Sequence, residues 1–185
     1  MTTSPRGRAR PPVRTLRATS SLVSFWAAVV IAVLLVGDAA VRGRWDVVAV
    51  ATAPVLLGVW AMWMLLWRPG IRLEADRAVV INIGRVHELP WSRVEYATQR
   101  MQIVFTLDDE STLTAWGGPF SRRPGARGPR MDERGTVDAV DVIELTRAAA
   151  VPSSDPVRHR WDAIPLTVGL VLAAVVVAQL GFLRS

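Results

Sequence analysis

The chain of 185 residues contains neither cysteine nor lysine, and these absences limit its chemistry. Without cysteine it forms no disulfide, holds no metal through thiolates and has no cysteine nucleophile. Because lysine is also absent, the formal net charge of +6 comes from arginine alone. Charge is nearly missing from three long segments, where much of the 51% of hydrophobic residues collects.

The excess positive charge lies in the N-terminal tail. Residues 1–20 contain five arginines and no acidic residue, whereas residues 68–160 contain fourteen arginines and thirteen acidic residues, a net charge of +1. A nucleic-acid-binding domain normally carries its own basic stripe, so we do not expect nucleic acid as a partner. The tail is rich in proline, arginine, serine and threonine, a composition that predicts disorder.

The three apolar segments predict transmembrane helices over residues 22–41, 47–67 and 163–183. Twenty helical residues extend about 30 Å, the thickness of the hydrocarbon core. Residues 42–46 are too few for anything but a tight turn, so the first two spans form a hairpin. A cleaved signal peptide is the alternative for the first segment. Asp38 fits a cleavage site poorly, and a second span follows at once.

Arginine placement predicts the orientation of these spans. Two spans return the chain to its starting side, which carries the tail arginines and also Arg68, Arg72, Arg77, Arg158 and Arg160. The opposite side carries Arg42, Arg44 and Arg184. By the positive-inside rule, the tail and the polar domain at residues 68–155 are cytoplasmic and the C-terminus is outside.

Short alternating segments between the second and third spans predict β-strands. Five to seven of them fit between Ile71 and Trp116, separated by turns at Pro90 and at Asp108–Glu110. A loop rich in glycine, proline and arginine follows, and then an amphipathic helix from Thr136 to about Ala150. This order predicts an α+β protein in which a small antiparallel β-barrel or sandwich is capped by one helix.

The runs RPGIRLEADRAVVINIGRVHELPWSRVEYATQ and MQIVFTLDDESTLTAW resemble a bacterial pleckstrin-homology-like domain. The similarity is to the type found in low-molecular-weight protein antigen 6 and related membrane proteins. It rests on the strand pair after the second span, the Leu89-Pro90-Trp91-Ser92 step and the following hairpin. The hairpin turn reads Asp108-Asp109-Glu110, where the family often has Asp-Gly. The resemblance implies a binding or scaffolding module without catalytic residues or a cofactor.

No residue pattern predicts a catalytic or metal site. His87 and His159 are far apart in sequence and too few for a metal site, so we expect solvated or interfacial histidines. The acidic turn at Asp108–Glu110 lacks the glycine and the ligand spacing of a calcium loop. Fingerprints for serine hydrolases, phosphate-binding loops and dinucleotide-binding folds are absent from the sequence, which indicates a protein that is not an enzyme.

A basic loop contains the candidate contact residues Arg122, Arg123, Arg127, Arg130 and Arg134. One interpretation is contact with anionic lipid headgroups or with a partner, each arginine contributing about 1 kcal/mol near a charged membrane surface. The other is a solvated loop that Asp132 and Glu133 partly neutralise.

Two functions from different classes fit the sequence. The first is a non-enzymatic, membrane-anchored module at the cytoplasmic face that binds or scaffolds a protein partner. The second is an accessory subunit of a membrane transport or envelope-assembly complex that acts through its transmembrane helices. In the second case Gly169, Gln179, Gly181 and the face formed by Trp60 and Trp63 would be the contacts.

Overall fold

The computed structural model describes residues 13–17, 19–99, 101–118 and 139–182. Three described helices are long and apolar enough to cross a membrane. They are α1 (Thr19–Val41), α2 (Trp45–Met62), which continues as a π-helical turn over Trp63–Trp67, and α4 (Ala163–Phe182). The three predicted apolar helices are therefore confirmed, with nearly the predicted bounds.

Helix α2 packs against both α1 and α4, which contact each other little. The indole of Trp60 lies directly over Gly169 of α4, and its Nε1 donates a hydrogen bond to the carbonyl of Pro165 at 3.1 Å. Farther along, Gln179 Nε2 donates to the carbonyl of Ala49 at 3.2 Å. The small residue allows the close helix approach that is common between apolar helices. Trp60 therefore packs against the neighbouring helix α4.

Thr52 does not satisfy the backbone carbonyl that Pro54 leaves free in α2. The carbonyl that Pro54 leaves without its helical donor is that of Val50, four residues earlier. Thr52 Oγ1 instead donates to the carbonyl of Val48 at 2.6 Å.

The strands form two antiparallel sheets rather than a closed barrel. The first has the order β1-β2-β3-β4-β8 and the second the order β5-β6-β7. The bounds are β1 (Arg14–Leu16), β2 (Gly70–Leu73), β3 (Arg77–Asn82), β4 (Arg85–Pro90), β5 (Val94–Gln99), β6 (Ile103–Leu107), β7 (Thr112–Ala115) and β8 (Arg158–Trp161). The α+β class is confirmed and the barrel alternative is wrong, because a 3-10 turn over Trp91–Arg93 separates the two sheets.

Both sheets and the short helix α3 (Ala139–Ala148) contribute to one hydrophobic core. Its fully buried side chains include Ile71, Val80, Leu89, Ile103, Phe105 and Ile143. Asn82 connects the sheets, since its side chain donates to the carbonyl of Thr114 and accepts from the amide of Trp116, each at 2.9 Å. The start of the predicted helix at Thr136 lies outside the described residues.

Strands β1 and β8 lie outside the predicted strand region and complete the two edges of the first sheet. Leu16 is paired with Ile71, and His159 with His87. The predicted disorder of the tail therefore differs from the structure at Arg14–Leu16; residues 1–12 are outside the described part. Neither segment has the apolar alternation that identifies a strand from sequence.

Replacing Gly169 with alanine should separate α2 from α4. The added Cβ would lie 2.1 Å from the indole of Trp60, so the helices or the ring must shift. Such overpacking costs about 1–3 kcal/mol. We expect a lower unfolding temperature for the full-length protein in mild detergent, measured by tryptophan fluorescence.

Gly181→Ala is the matched control. Gly181 lies on the same helix as Gly169, but a Cβ added there would have no neighbouring atom within 4 Å. It should leave the unfolding temperature unchanged or slightly higher, since alanine favours helices over glycine. Equal unfolding temperatures for the two variants would contradict the observed α2–α4 packing.

Candidate functional site

The predicted contact arginines, Arg122, Arg123, Arg127, Arg130 and Arg134, lie outside the described residues. The structure instead concentrates charge and aromatic rings where the apolar helices meet the first sheet. Strand β1 leads into α1, the π-helical turn leads into β2, and β8 leads into α4. All three helices are therefore joined to one sheet through connections of one or two residues.

An ion pair joins the end of the second apolar helix to the start of the third. Arg68 donates two hydrogen bonds to Asp162, from Nε to Oδ2 and from Nη2 to Oδ1. The arginine side chain is 26% exposed and the aspartate side chain 10%. Two parallel hydrogen bonds fix the geometry of such a pair. The amide of Asp162 also donates to the carbonyl of Gly84 at 3.0 Å, which attaches this junction to the sheet.

Arg17, Arg68 and Arg72 form an arginine cluster at this junction. Burial, together with the positive charges of Arg72 and Arg68, lowers the pKa of Arg17. The stem of Arg17 lies against Gly70, where an added Cβ would be 3.1 Å from Arg17 Cγ. Its Nε is buried and has no hydrogen-bond partner among the described residues. The cluster therefore holds a buried donor that an external acceptor would satisfy.

An apolar groove of about 460 Å³ lies beside the arginine cluster, between α1 and α4 and over α2. Its lining includes Phe25, Val59, Trp60, Trp63, Ile164 and Val168. Aromatic rings connect the groove to the cluster. Arg68 Cζ lies 5.4 Å from the ring centroid of Trp63, and Arg17 Cζ lies 6.0 Å from that of Trp67, which contacts Phe25.

An edge cleft of about 220 Å³ lies away from the apolar helices, between β1, β2 and α3. It is lined by Arg14, Leu73, Glu74, Val142, Leu145, Thr146 and Ala149. Leu145 is largely exposed although it is a large apolar side chain. Strand β1 is the outermost strand of its sheet, so the cleft runs beside a strand edge.

The structure brings together the two histidines that the sequence separates. His87 Nδ1 and His159 Nδ1 are 2.6 Å apart across the β4–β8 pair. One neutral ring donates its proton and the other accepts it. Of the two expected environments, solvated or interfacial, the solvated one is wrong for His87, which is buried. Burial, His159 and Arg85 lower the pKa of His87. Within the described ranges, no group of three or more acidic, histidine or cysteine side chains could hold a metal ion.

Asp162→Asn should destabilise the junction by about 2 kcal/mol, because it removes hydrogen bonds to a charged group and leaves Arg68 partly buried without its counter-ion. We expect a lower unfolding temperature for the full-length protein in detergent. The control is Asp108→Asn, which breaks the Arg93–Asp108 pair, whose side chains are 40% and 47% exposed. An exposed pair contributes at most about 1 kcal/mol. A larger loss in the control than in Asp162→Asn would contradict the role of the junction.

The histidine pair predicts that stability falls in mild acid. Because the folded state lowers the pKa of His87, the unfolded chain binds more protons at a pH below the ordinary value of about 6.5. Stability is therefore complete above that pH and is lost as the pH falls through the lowered pKa. Unfolding temperatures between pH 8 and pH 5 should drop for the wild type and drop less for His87→Gln. If the unfolding temperatures of the wild type and His87→Gln fell equally with pH, protonation of His87 would not be the cause of the acid sensitivity.

The chain matches no protein-family model, and no curated protein or solved structure is detectably similar to it.

Proposed function

We propose that this chain is a membrane-anchored, non-enzymatic pleckstrin-homology-like module that binds or scaffolds a protein partner at the cytoplasmic face. The observation that supports it best is the attachment of all three lipid-length helices to one sheet. Because the connections are one or two residues long, the module is held close to the bilayer and presents its surfaces in a fixed orientation. The excess of arginine on the domain side of the helices supports the cytoplasmic location.

The order of elements supports the pleckstrin-homology-like assignment. Six strands between Gly70 and Ala115 form antiparallel hairpins, and one helix follows and packs on the second sheet. In that contact Glu144 of α3 accepts a hydrogen bond from the amide of Ala97 at 3.1 Å. The two edge strands from outside residues 68–155 are an addition to this order.

The edge cleft is the partner site in this proposal. An outermost strand presents backbone donors and acceptors that an extended peptide pairs with, and side-chain pockets then give specificity. Here β1 supplies the edge, and the exposed Leu145 together with Leu73 and Val142 supplies an apolar wall. Arg14 and Glu74 give that wall one charge of each sign. The cleft thus suits an extended segment with an apolar side chain opposite Leu145.

The second candidate remains an accessory subunit of a membrane transport or envelope-assembly complex. Three of its expected contact residues are engaged inside this chain, since Trp60 covers Gly169 and Gln179 donates to Ala49. Gly181 is open, with nothing within 4 Å of an added Cβ. This internal use of the contact residues favours the module over the subunit.

Site-specific photocrosslinking in cells distinguishes the two functions. A photoreactive residue at Leu145 should give a discrete adduct with a partner, whereas one at Val33, on the exposed surface of α1, should give none. Arg14→Glu should weaken the adduct at position 145, because it reverses the charge on the cleft wall. Adducts at Val33 alone would support the subunit. An adduct at position 145 that Arg14→Glu does not affect would remove the edge cleft from the proposal.

The orientation is tested with single cysteines, which the cysteine-free chain allows without background labelling. A membrane-impermeant thiol reagent applied to intact cells should label a cysteine at Arg44, in the link between α1 and α2. It should label one at Asp109, in the β6–β7 turn, only after cell lysis. The reverse pattern would place the module outside.

A further inference from the structure

The arginine cluster and the apolar groove form one continuous surface at the domain end of the apolar helices. Trp63 lines the groove and also lies beneath Arg68. Phe25 lines the groove and contacts Trp67 with 5.4 Å between ring centroids, and Arg17 lies over that second ring. The rings of Trp63 and Trp67 therefore form the boundary between the apolar groove and the arginine cluster. Neither part belongs to the edge cleft.

The carboxylates near the arginine cluster do not neutralise its positive charge. Arg68 has one carboxylate, that of Asp162, within 4.0 Å. Among the described residues, Arg17 and Arg72 have no carboxylate within 4.0 Å. Three arginines and one aspartate leave a net charge of about +2. The buried Nε of Arg17 also has no acceptor from the described residues. An anion with several acceptor oxygens would satisfy both the charge and the buried donor.

We propose that this surface binds one anionic phospholipid, with its phosphate between Arg17 and Arg72 and one acyl chain in the apolar groove. Guanidinium groups match the oxygen geometry of phosphate, and the inner leaflet supplies anionic lipid. The binding requires the three helices to lie in the bilayer, as in the proposed function, but it does not require the protein partner at the edge cleft.

The groove selects a lipid over other occupants. A free phosphate ion would make no use of the apolar groove that runs along α2 from Trp63 to Leu56. A helix from a second copy of this chain in parallel orientation would bring its own arginines to the same level and add repulsion. A phospholipid carries the negative charge and the acyl chain in one molecule, at the spacing that a membrane interface imposes.

The test is lipid binding to the purified full-length protein in a neutral detergent, followed by native mass spectrometry. The probes are phosphatidylglycerol and phosphatidylcholine with identical acyl chains. The wild type should bind phosphatidylglycerol at least about fivefold more tightly, the size expected for one arginine near a charged headgroup. Arg17→Gln should reduce this preference to less than about twofold, and Arg72→Gln is the second variant in case the first does not fold.

Two matched controls separate a site from general effects. Arg44→Gln removes an arginine from the far end of the helices and should keep the preference. Val168→Trp fills the groove and should weaken binding of both lipids severalfold, whereas Leu170→Trp, on the exposed side of α4, should not.

Three results would overturn the proposal. Equal affinity of the wild type for the two lipids would remove the anion site. An equal loss of the preference for phosphatidylglycerol in Arg17→Gln and Arg44→Gln would show that the lipid is attracted by the overall positive charge and not by a site. Displacement of phosphatidylglycerol by millimolar inorganic phosphate, with no effect of Val168→Trp, would identify a phosphate site. The photocrosslink at position 145 does not depend on these variants, so failure of the lipid site and failure of the partner site are separate outcomes.

Discussion

Backbone pairing at the two edges of the first sheet is the constraint on which the arrangement depends. Strands β1 and β8 have only three and four residues, and such short strands contribute little stability by themselves. Each is followed almost at once by a helix of 20 or more residues. Because those helices pack on α2, closing the strand pairs requires little additional loss of chain entropy. The helices thus hold the edge strands, and the edge strands position the sheet.

The same connections explain why charge accumulates at the junction. Where a lipid-length helix ends beside a sheet, the chain passes from apolar to polar surroundings within a few residues. Arginine suits this position because its apolar stem packs on rings and backbone while its head reaches polar groups. Arg17 lies against Gly70 in this way, and Arg68 lies over Trp63. Asp162 neutralises one of these charges and leaves the others for an external anion.

The sequence predicted the elements whose signal is local. Three apolar runs of about twenty residues and the alternating segments between Ile71 and Trp116 have patterns that the backbone imposes. Three long helices and six strands were found in these segments, and six lies within the predicted five to seven strands. The edge strands have no such signal. Arg14-Thr15-Leu16 and Arg158-His159-Arg160-Trp161 are extended because they pair with partners 55–59 and 70–76 residues away in sequence, respectively. A single sequence contains no record of these pairings, so β1 was predicted as tail and β8 was not predicted as a strand.

The candidate site was missed for the same reason. The predicted contact residues are the five arginines that lie close together in the sequence at residues 122–134. Arg17, Arg68 and Arg72 are separated by up to 55 residues and become neighbours only when β1 pairs with β2 and α2 ends beside them. One local signal was available, because Trp67-Arg68 at the end of an uncharged helix and Trp161-Asp162 at the start of another place opposite charges at helix ends that the predicted topology puts on the same side. Two spans that return to one side must bring their domain-side ends to equal depth. That geometric requirement, rather than the density of charge, predicts the Arg68–Asp162 pair.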